Sequence, residues 1–145
     1  MKLTWHDRGF AELTVAQLYA ILALRQRVFV VEQKCCYQDA DGVDVMSRHV
    51  WAQGEANIAA YLRIVPASVK FPEVSIGRVI TAPEARGAGL GRELMRRGIE
   101  AAGPVPIRIA AQAYLEDFYA DLGFSRVSDE YDEDGIPHID MLRVP

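Results

Sequence analysis

Three glycines in the run Arg86-Gly87-Ala88-Gly89-Leu90-Gly91 separate a β-branched stretch, Val74–Thr81, from a helix-like segment. Strand, glycine turn and helix in that order aim bare backbone N–H groups at an anion. The first N–H groups of a helix lack partners, and the helix dipole adds partial positive charge at that end. The glycines clear side chains from the path of a phosphate. Arg86 and Arg92 flank the turn, and their guanidinium groups can pair with phosphate oxygens. A nucleoside-triphosphate loop would need Gly-Lys-Ser/Thr, but Gly91 is followed by Arg92 and Glu93. A dinucleotide fingerprint needs another glycine spacing and an acid at the end of the next strand, which here ends near Gln112. The pyrophosphate of coenzyme A is the third candidate. Elsewhere, Asp39, Asp41 and Asp44 around Gly42 hint at calcium, but the closing bidentate Glu of such a loop is absent. Cys35, Cys36, His49 and His138 match no zinc spacing, so no metal is expected.

Two motifs carry a resemblance. Arg86-x-x-Gly89-x-Gly91 after a strand resembles the Arg/Gln-x-x-Gly-x-Gly/Ala signature of the GNAT superfamily of acyl-CoA N-acetyltransferases. Downstream, Phe118-Tyr119-x-x-Leu122-Gly123-Phe124 resembles that family's second signature. Arg27–Gln33 and Asp134-Gly135-Ile136-Pro137-His138 look like its ElaA-type branch, so the likeness spans essentially the whole chain. It implies an acetyl-CoA-dependent transfer of an acetyl group to a primary amine of a small molecule or peptide, by direct attack on the thioester. A GNAT-fold module that binds acyl-CoA as a sensor without turnover is the alternative. The resemblance assigns cofactor holding to Arg86, Gly87, Ala88, Gly89, Leu90, Gly91 and Arg92. It also assigns Val79, Ile80 and Thr81 to pair with the pantetheine arm, one of their N–H groups polarising the thioester carbonyl. Gln112 stands where many relatives carry an Asn that bonds the same arm. Tyr119 stands at the position of a general-acid tyrosine that protonates the departing thiolate. For the base that takes the amine's proton, Glu32, Asp41, His49 and His138 all stay open, with Glu32 and His138 carried forward as catalytic candidates.

The elements that must position these groups follow from the hydrophobic pattern. Leu3–His6 reads as a first strand. Thr14 is an N-cap for a helix over Val15–Val30, with Leu18, Ile21, Leu22, Arg25, Val28 and Phe29 at helical spacing. Lys34–Ser47 is a polar, aspartate-rich loop, expected to be a flexible wall of the acceptor site. His49–Gln53 and Ile58–Val65 form a hairpin, and Val74–Thr81 is the central strand. The helix after the glycine turn puts Leu90, Leu94, Gly98 and Ala102 on one face. Ile107–Ala111 is a buried strand, Tyr114–Leu122 a short helix, Phe124–Val127 a strand, Asp129–Gly135 a solvated acidic turn and Ile136–Val144 the last strand. The expected architecture is α/β, with a mixed sheet of six or seven strands flanked by helices. The resemblance adds that Val74–Thr81 and Ile107–Ala111 splay apart at the cofactor.

The 145 residues are expected to form one domain, 1–145, half hydrophobic and a quarter charged. No apolar run approaches a bilayer span, and no apolar segment follows the charged N-terminus, so neither a membrane partner nor a signal peptide is expected. The net charge of −4 argues against a nucleic-acid partner. Adjacent Cys35 and Cys36 suit free thiols in a cytoplasmic setting. Monomer and homodimer both remain open.

Overall fold

Ile58–Val65 is buried at all eight positions, which places it in the middle of a sheet covered on both faces. The computed structural model describes residues 2–145. Its eight strands are β1 (Thr4–Gly9), β2 (Arg48–Gln53), β3 (Ile58–Val65), β4 (Val74–Thr81), β5 (Ile107–Gln112), β6 (Phe124–Arg126), β7 (Tyr131–Glu133) and β8 (Ile136–Arg143). They form one sheet in the order β1-β2-β3-β4-β5-β8-β6, with β7 also paired to β8. Among the described residues only β4 and β5 run parallel.

The sheet has one strand more than the six or seven expected. The difference is β7, read from the sequence as part of a solvated acidic turn. Asp134 (φ 53°) and Gly135 (φ 81°) both take left-handed backbone, a two-residue turn that folds Tyr131–Glu133 back onto Ile136–His138.

Helices cover both faces. α1 (Val15–Arg25) opens with a reciprocal cap. The Thr14 hydroxyl accepts the Gln17 N–H, and the Gln17 side chain accepts the Thr14 N–H, both at 3.0 Å. The chain stays helical beyond Arg25 but widens into a π-helical segment, Gln26–Glu32, where Gln33 N–H reaches Val28 C=O at 3.1 Å. Val28-Phe29-Val30-Val31 is β-branched and aromatic, a run with weak preference for the tighter α form. α2 (Leu90–Ala102) packs on β2, β3 and β4, where a Cβ on Gly98 would lie 2.6 Å from Leu62 Cδ2. Tyr61 and Arg63 alternate with Leu62 and so face the other way, toward α1. α3 is shorter than expected (Glu116–Ala120) and follows a 3₁₀ turn, Ala113–Leu115. Among the described residues no helix is long and apolar enough to cross a membrane.

Candidate active site

β4 and β5 touch at only two register pairs, Val74↔Ile107 and Ser75↔Arg108. Beyond them β4 stays with β3, and β5 stays with β8. A cleft of about 1050 Å³ opens between the diverging C-terminal ends, the side where open α/β sheets take ligands. Val79, Ile80, Thr81, Arg86, Gly91 and Gln112 line it, and so do Glu32, Tyr119 and His138.

A bulge turns the β4 backbone toward this cleft. Tyr61 faces Ile80 and Arg63 faces Gly77, so Leu62 alone opposes both Arg78 and Val79. Arg78 takes the left-handed region at φ 51°, an uncommon place for a side-chain-bearing residue. Its guanidinium group holds it there, donating from Nε to Asp39 Oδ1 at 2.8 Å and from an Nη to the Asp39 carbonyl at 3.1 Å. The extra residue of a bulge leaves the ladder, which frees backbone on the cleft side. Arg78 is a functional position outside the expected set, and a charge inside the β-branched run Val74–Thr81 is its signal in the sequence.

The glycine turn sits where the chain leaves β4. Gly87 (φ 92°) and Gly89 (φ 73°) adopt the left-handed backbone that glycine favours, with open space where a Cβ would stand. Gly89 caps α2, and the first intrahelical bond runs from Glu93 N–H to Gly89 C=O. The N–H groups of Leu90, Gly91 and Arg92 precede that bond and can donate to an anion. Arg86 faces the cleft but is engaged there. It donates through both Nη atoms to Glu32, at 2.9 and 2.7 Å, and through Nε to the Thr81 carbonyl at 3.1 Å. Arg92 is not brought to the cleft; it reaches Asp121 at 3.5 Å on the exposed surface.

The proton-carrying candidates separate by environment. The Arg86 hydrogen bonds hold the Glu32 carboxyl below its usual range. His49 is wholly buried with both ring nitrogens engaged, by the Tyr61 hydroxyl at 2.7 Å and the Asp44 carbonyl at 2.9 Å. Asp41 is tied to Arg63, with Lys70 and Arg78 beside it. His138 differs. Its Nδ1 lies 2.7 Å from the Ile136 carbonyl, so that nitrogen carries the proton and the neutral ring keeps a lone pair at Nε2. Glu133 stands 3.5 Å from Nε2, and Gln112 faces His138 across β5 and β8. Tyr119 is buried between Phe118 and Phe124, packed edge-to-face with ring centroids 5.1 and 6.0 Å away. Burial pushes its phenol up to about 12, and among the described residues its hydroxyl has no protein partner.

The aspartate-rich loop walls the cleft through Cys35, Tyr37 and Asp41, but it is pinned rather than flexible. Asp39 and Asp44 are buried, and with Asp41 they take the charges of Arg25, Arg63 and Arg78. Solvent-facing composition misled the reading, because the cations that bury this loop come from α1, β3 and β4. Tyr131 and Glu133, read as a solvated tip, also line the cleft. Both thiols are free; Cys35 Sγ sits 3.5 Å from the Asp134 carbonyl and so touches the β7–β8 turn. No group of His, Cys, Asp and Glu among the described residues is arranged to hold a metal ion.

Residues 24–144 match the family model for the acetyltransferase (GNAT) domain. This chain belongs to the GNAT acetyltransferase family. Protein ElaA of Escherichia coli strain K12 is 43% identical over 147 residues, spanning 97% of this GNAT chain and 96% of that protein. A crystallised acyl-CoA N-acyltransferase from Pseudomonas aeruginosa superposes with a TM-score of 0.95 at 43% identity, covering 99% of this chain and 100% of the other. The crystal structure of E. coli ElaA gives 0.92 at 42% identity, over 98% and 99% of the two chains. The GNAT chain is therefore an N-acetyltransferase, with the fold of enzymes that transfer acyl groups from acyl-CoA to amines. Its own geometry fits that donor: a helix start without a side-chain cap follows a glycine turn, and Arg86 and Gly91 from that corner line a cleft between two strands that part from each other.

Proposed function

We propose that this GNAT enzyme transfers the acetyl group of acetyl-CoA to a primary amine of a small molecule or peptide, by direct attack on the thioester. The divergence of β4 and β5 after Ser75 and Arg108 carries the reading, because it opens a path from the glycine turn to His138 and Tyr119. The N–H groups following Gly89, with Gly87, Ala88 and the Arg86 guanidinium, hold the diphosphate. Arg92, turned toward Asp121, contributes long-range charge only. Backbone freed by the bulge at Val79, with Ile80 and Thr81, lies along the pantetheine arm, and Gln112 bonds it from the opposite strand. An N–H of Val79 or Ile80 stabilises charge developing on the thioester oxygen, typically worth about 3–4 kcal/mol.

Proton traffic falls to two side chains. The amine nitrogen attacks the carbonyl carbon and gives its proton to Nε2 of His138. The carbon–sulfur bond breaks, and the thiolate takes the Tyr119 proton. We assign proton uptake to His138 rather than Glu32, because a carboxylate clamped by Arg86 is a weak base. The dry site that raises the phenol also raises the thiol beside it, so the two acids stay matched.

The test is release of free thiol from acetyl-CoA across a panel of primary amines, with mass spectrometry of the products. Amine-dependent release with an acetylated product is expected. Cofactor binding without release for any amine would overturn the reading in favour of a sensor.

A further inference from the structure

On one side of the cleft four cations meet three carboxylates. Arg25 spends its donors on Asp39 (2.8 Å), Asp44 (2.7 Å) and the Asp39 carbonyl (3.0 Å). Arg63 gives its terminal nitrogens to Asp41 and Asp44 at 2.7–2.9 Å. Arg78 takes the other oxygen of Asp39. Lys70 is left with Asp41 Oδ2 at 3.6 Å, an oxygen already held by Arg63 at 2.7 Å and approached by Arg78 at 3.4 Å. Within this cluster the cations outnumber the carboxylates by one, and Lys70 is the most loosely paired of the four. A donor in the same cluster is also left unpaired. Arg63 lines the cleft with a side chain 1% exposed, and its buried Nε–H has no hydrogen-bond partner. Leaving such a donor unpaired is costly. Burial, with Arg63 and Arg78 close by, also pulls the Lys70 ammonium below its ordinary range.

The other side of the cleft has the opposite bias. Asp140 is spent on Arg108 at 2.9 Å and on the Tyr131 hydroxyl at 2.6 Å. Glu133 has only His138 Nε2, at 3.5 Å, and its charge is felt at Lys70. The two biased sides thus face a shared space, with the aromatic rings of Tyr37, Phe71 and Tyr131 lining it.

We infer that the acceptor is a small zwitterion, a primary amine that also carries one carboxylate, seated with its amine at Glu133 and His138 and its carboxylate at Lys70 and Arg78. This rests on the acyl-transfer reading above and names the substrate class for the same site. Glu133 draws in the ammonium form, and His138 takes the proton that frees the attacking lone pair. One surplus positive charge matches one carboxylate; a phosphate dianion would leave negative charge uncompensated in a partly buried site. A polyamine would bring its second ammonium against Lys70 and Arg78.

Matched pairs test the assignment: phenylalanine against phenethylamine, and lysine against cadaverine, each with acetyl-CoA. The carboxylated member should show at least about tenfold higher kcat/KM. That preference should collapse in Lys70→Met and return in Lys70→Arg. Calorimetry gives an arm independent of turnover. N-acetylphenylalanine should bind roughly tenfold tighter than N-acetylphenethylamine, with the difference lost in Lys70→Met. Equal kcat/KM and equal binding within each pair would overturn the inference and leave acyl transfer intact. Thiol release from no amine, with Lys70-dependent carboxylate binding preserved, would uphold the anion subsite and overturn the transferase reading instead.

Discussion

Tyr119 and His138 are set apart from the other titratable groups of the cleft by what they lack. His138 is anchored through Nδ1 alone, and the Tyr119 hydroxyl has no protein partner among the described residues. Glu32 has both carboxylate oxygens engaged, and His49, buried away from the cleft, has both ring nitrogens engaged. Tyr119→Phe keeps the ring edges against Phe118 and Phe124 and removes only the proton. We expect kcat to fall by about 100-fold, the lower range for acid catalysis, with the coenzyme A dissociation constant nearly unchanged. Steady-state kinetics beside calorimetry reads both quantities; equal turnover removes Tyr119 from the mechanism. His138→Gln retains a donor toward Ile136 and loses the basic Nε2. The expected loss is again about 100-fold in kcat at neutral pH, partly recovered by raising the pH, because more amine is then neutral in solution. A variant that keeps full activity at neutral pH returns the base to an ordered water.

At the scale of elements, the turn before α2 separates two uses of glycine. Gly87 and Gly89 need their left-handed backbone, whereas a Cβ on Gly91 would stand 3.5 Å from Thr81 Oγ1, an ordinary contact. Gly91→Ala should therefore stabilise α2 by up to about 1 kcal/mol and leave cofactor binding intact. Gly89→Ala should cost about 1–2 kcal/mol and weaken binding. Thermal unfolding and calorimetry on the pair decide this, and equal behaviour of the two variants would refute it. The Glu32–Arg86 contact joins the π-helical segment to the same turn, so the diphosphate must compete with Glu32 for Arg86. Arg86→Ala should weaken coenzyme A binding, and Glu32→Gln should strengthen it a few-fold, since an exposed pair is worth little. The turn and the limits of β3 and β4 were legible in the sequence because local chemistry dictates them: glycine spacing, β-branched runs, Pro66 and Pro83 as breaks. The bulge at Arg78, the π-helical widening and strand β7 were not. The bulge depends on a partner far along the chain, Asp39 for Arg78, while β7 is a three-residue run whose acidic side chains mask its pairing with β8 across Asp134 and Gly135. The same holds for Lys34–Ser47, whose aspartates look solvated until Arg25 and Arg63 are folded over them.

For the molecule as a whole, that buried charge network ties α1, the aspartate loop, β3 and β4 into one unit, and acid should dismantle it in two stages. Burial would raise the carboxyls of Asp41 and Asp44, but hydrogen bonds and charge from Arg63 and Arg25 hold both below the usual range. A depressed carboxyl stabilises the fold fully above its unfolded pKa, about 3.9, and that contribution is lost as pH falls toward the folded value. His49 acts earlier. Burial first, with Arg25 and Arg63 nearby, holds its imidazole below the ordinary value. The unfolded chain therefore takes up the His49 proton from about pH 6.5 downward while the folded chain does not, and stability declines over that interval. Urea midpoints between pH 8 and pH 3 should show a shallow decline starting near 6.5 and a steeper one below about 4. His49→Gln can keep both hydrogen bonds without titrating, so it should flatten the first decline and leave the second. An unchanged upper slope in that variant would mean that His49 is not its source. Arg25→Ala should be far more damaging at every pH. It leaves Asp39 and Asp44 one buried partner short, with only Arg78 and Arg63 still holding them, a loss of up to about 3–5 kcal/mol from a total that is commonly 5–15. The bulge at Arg78 hangs on the same Asp39, so the cleft should loosen before the sheet does. Coenzyme A binding in Arg25→Ala is then expected to disappear at lower urea than the loss of secondary structure seen by circular dichroism, whereas coincident midpoints would show that network and sheet fail as one.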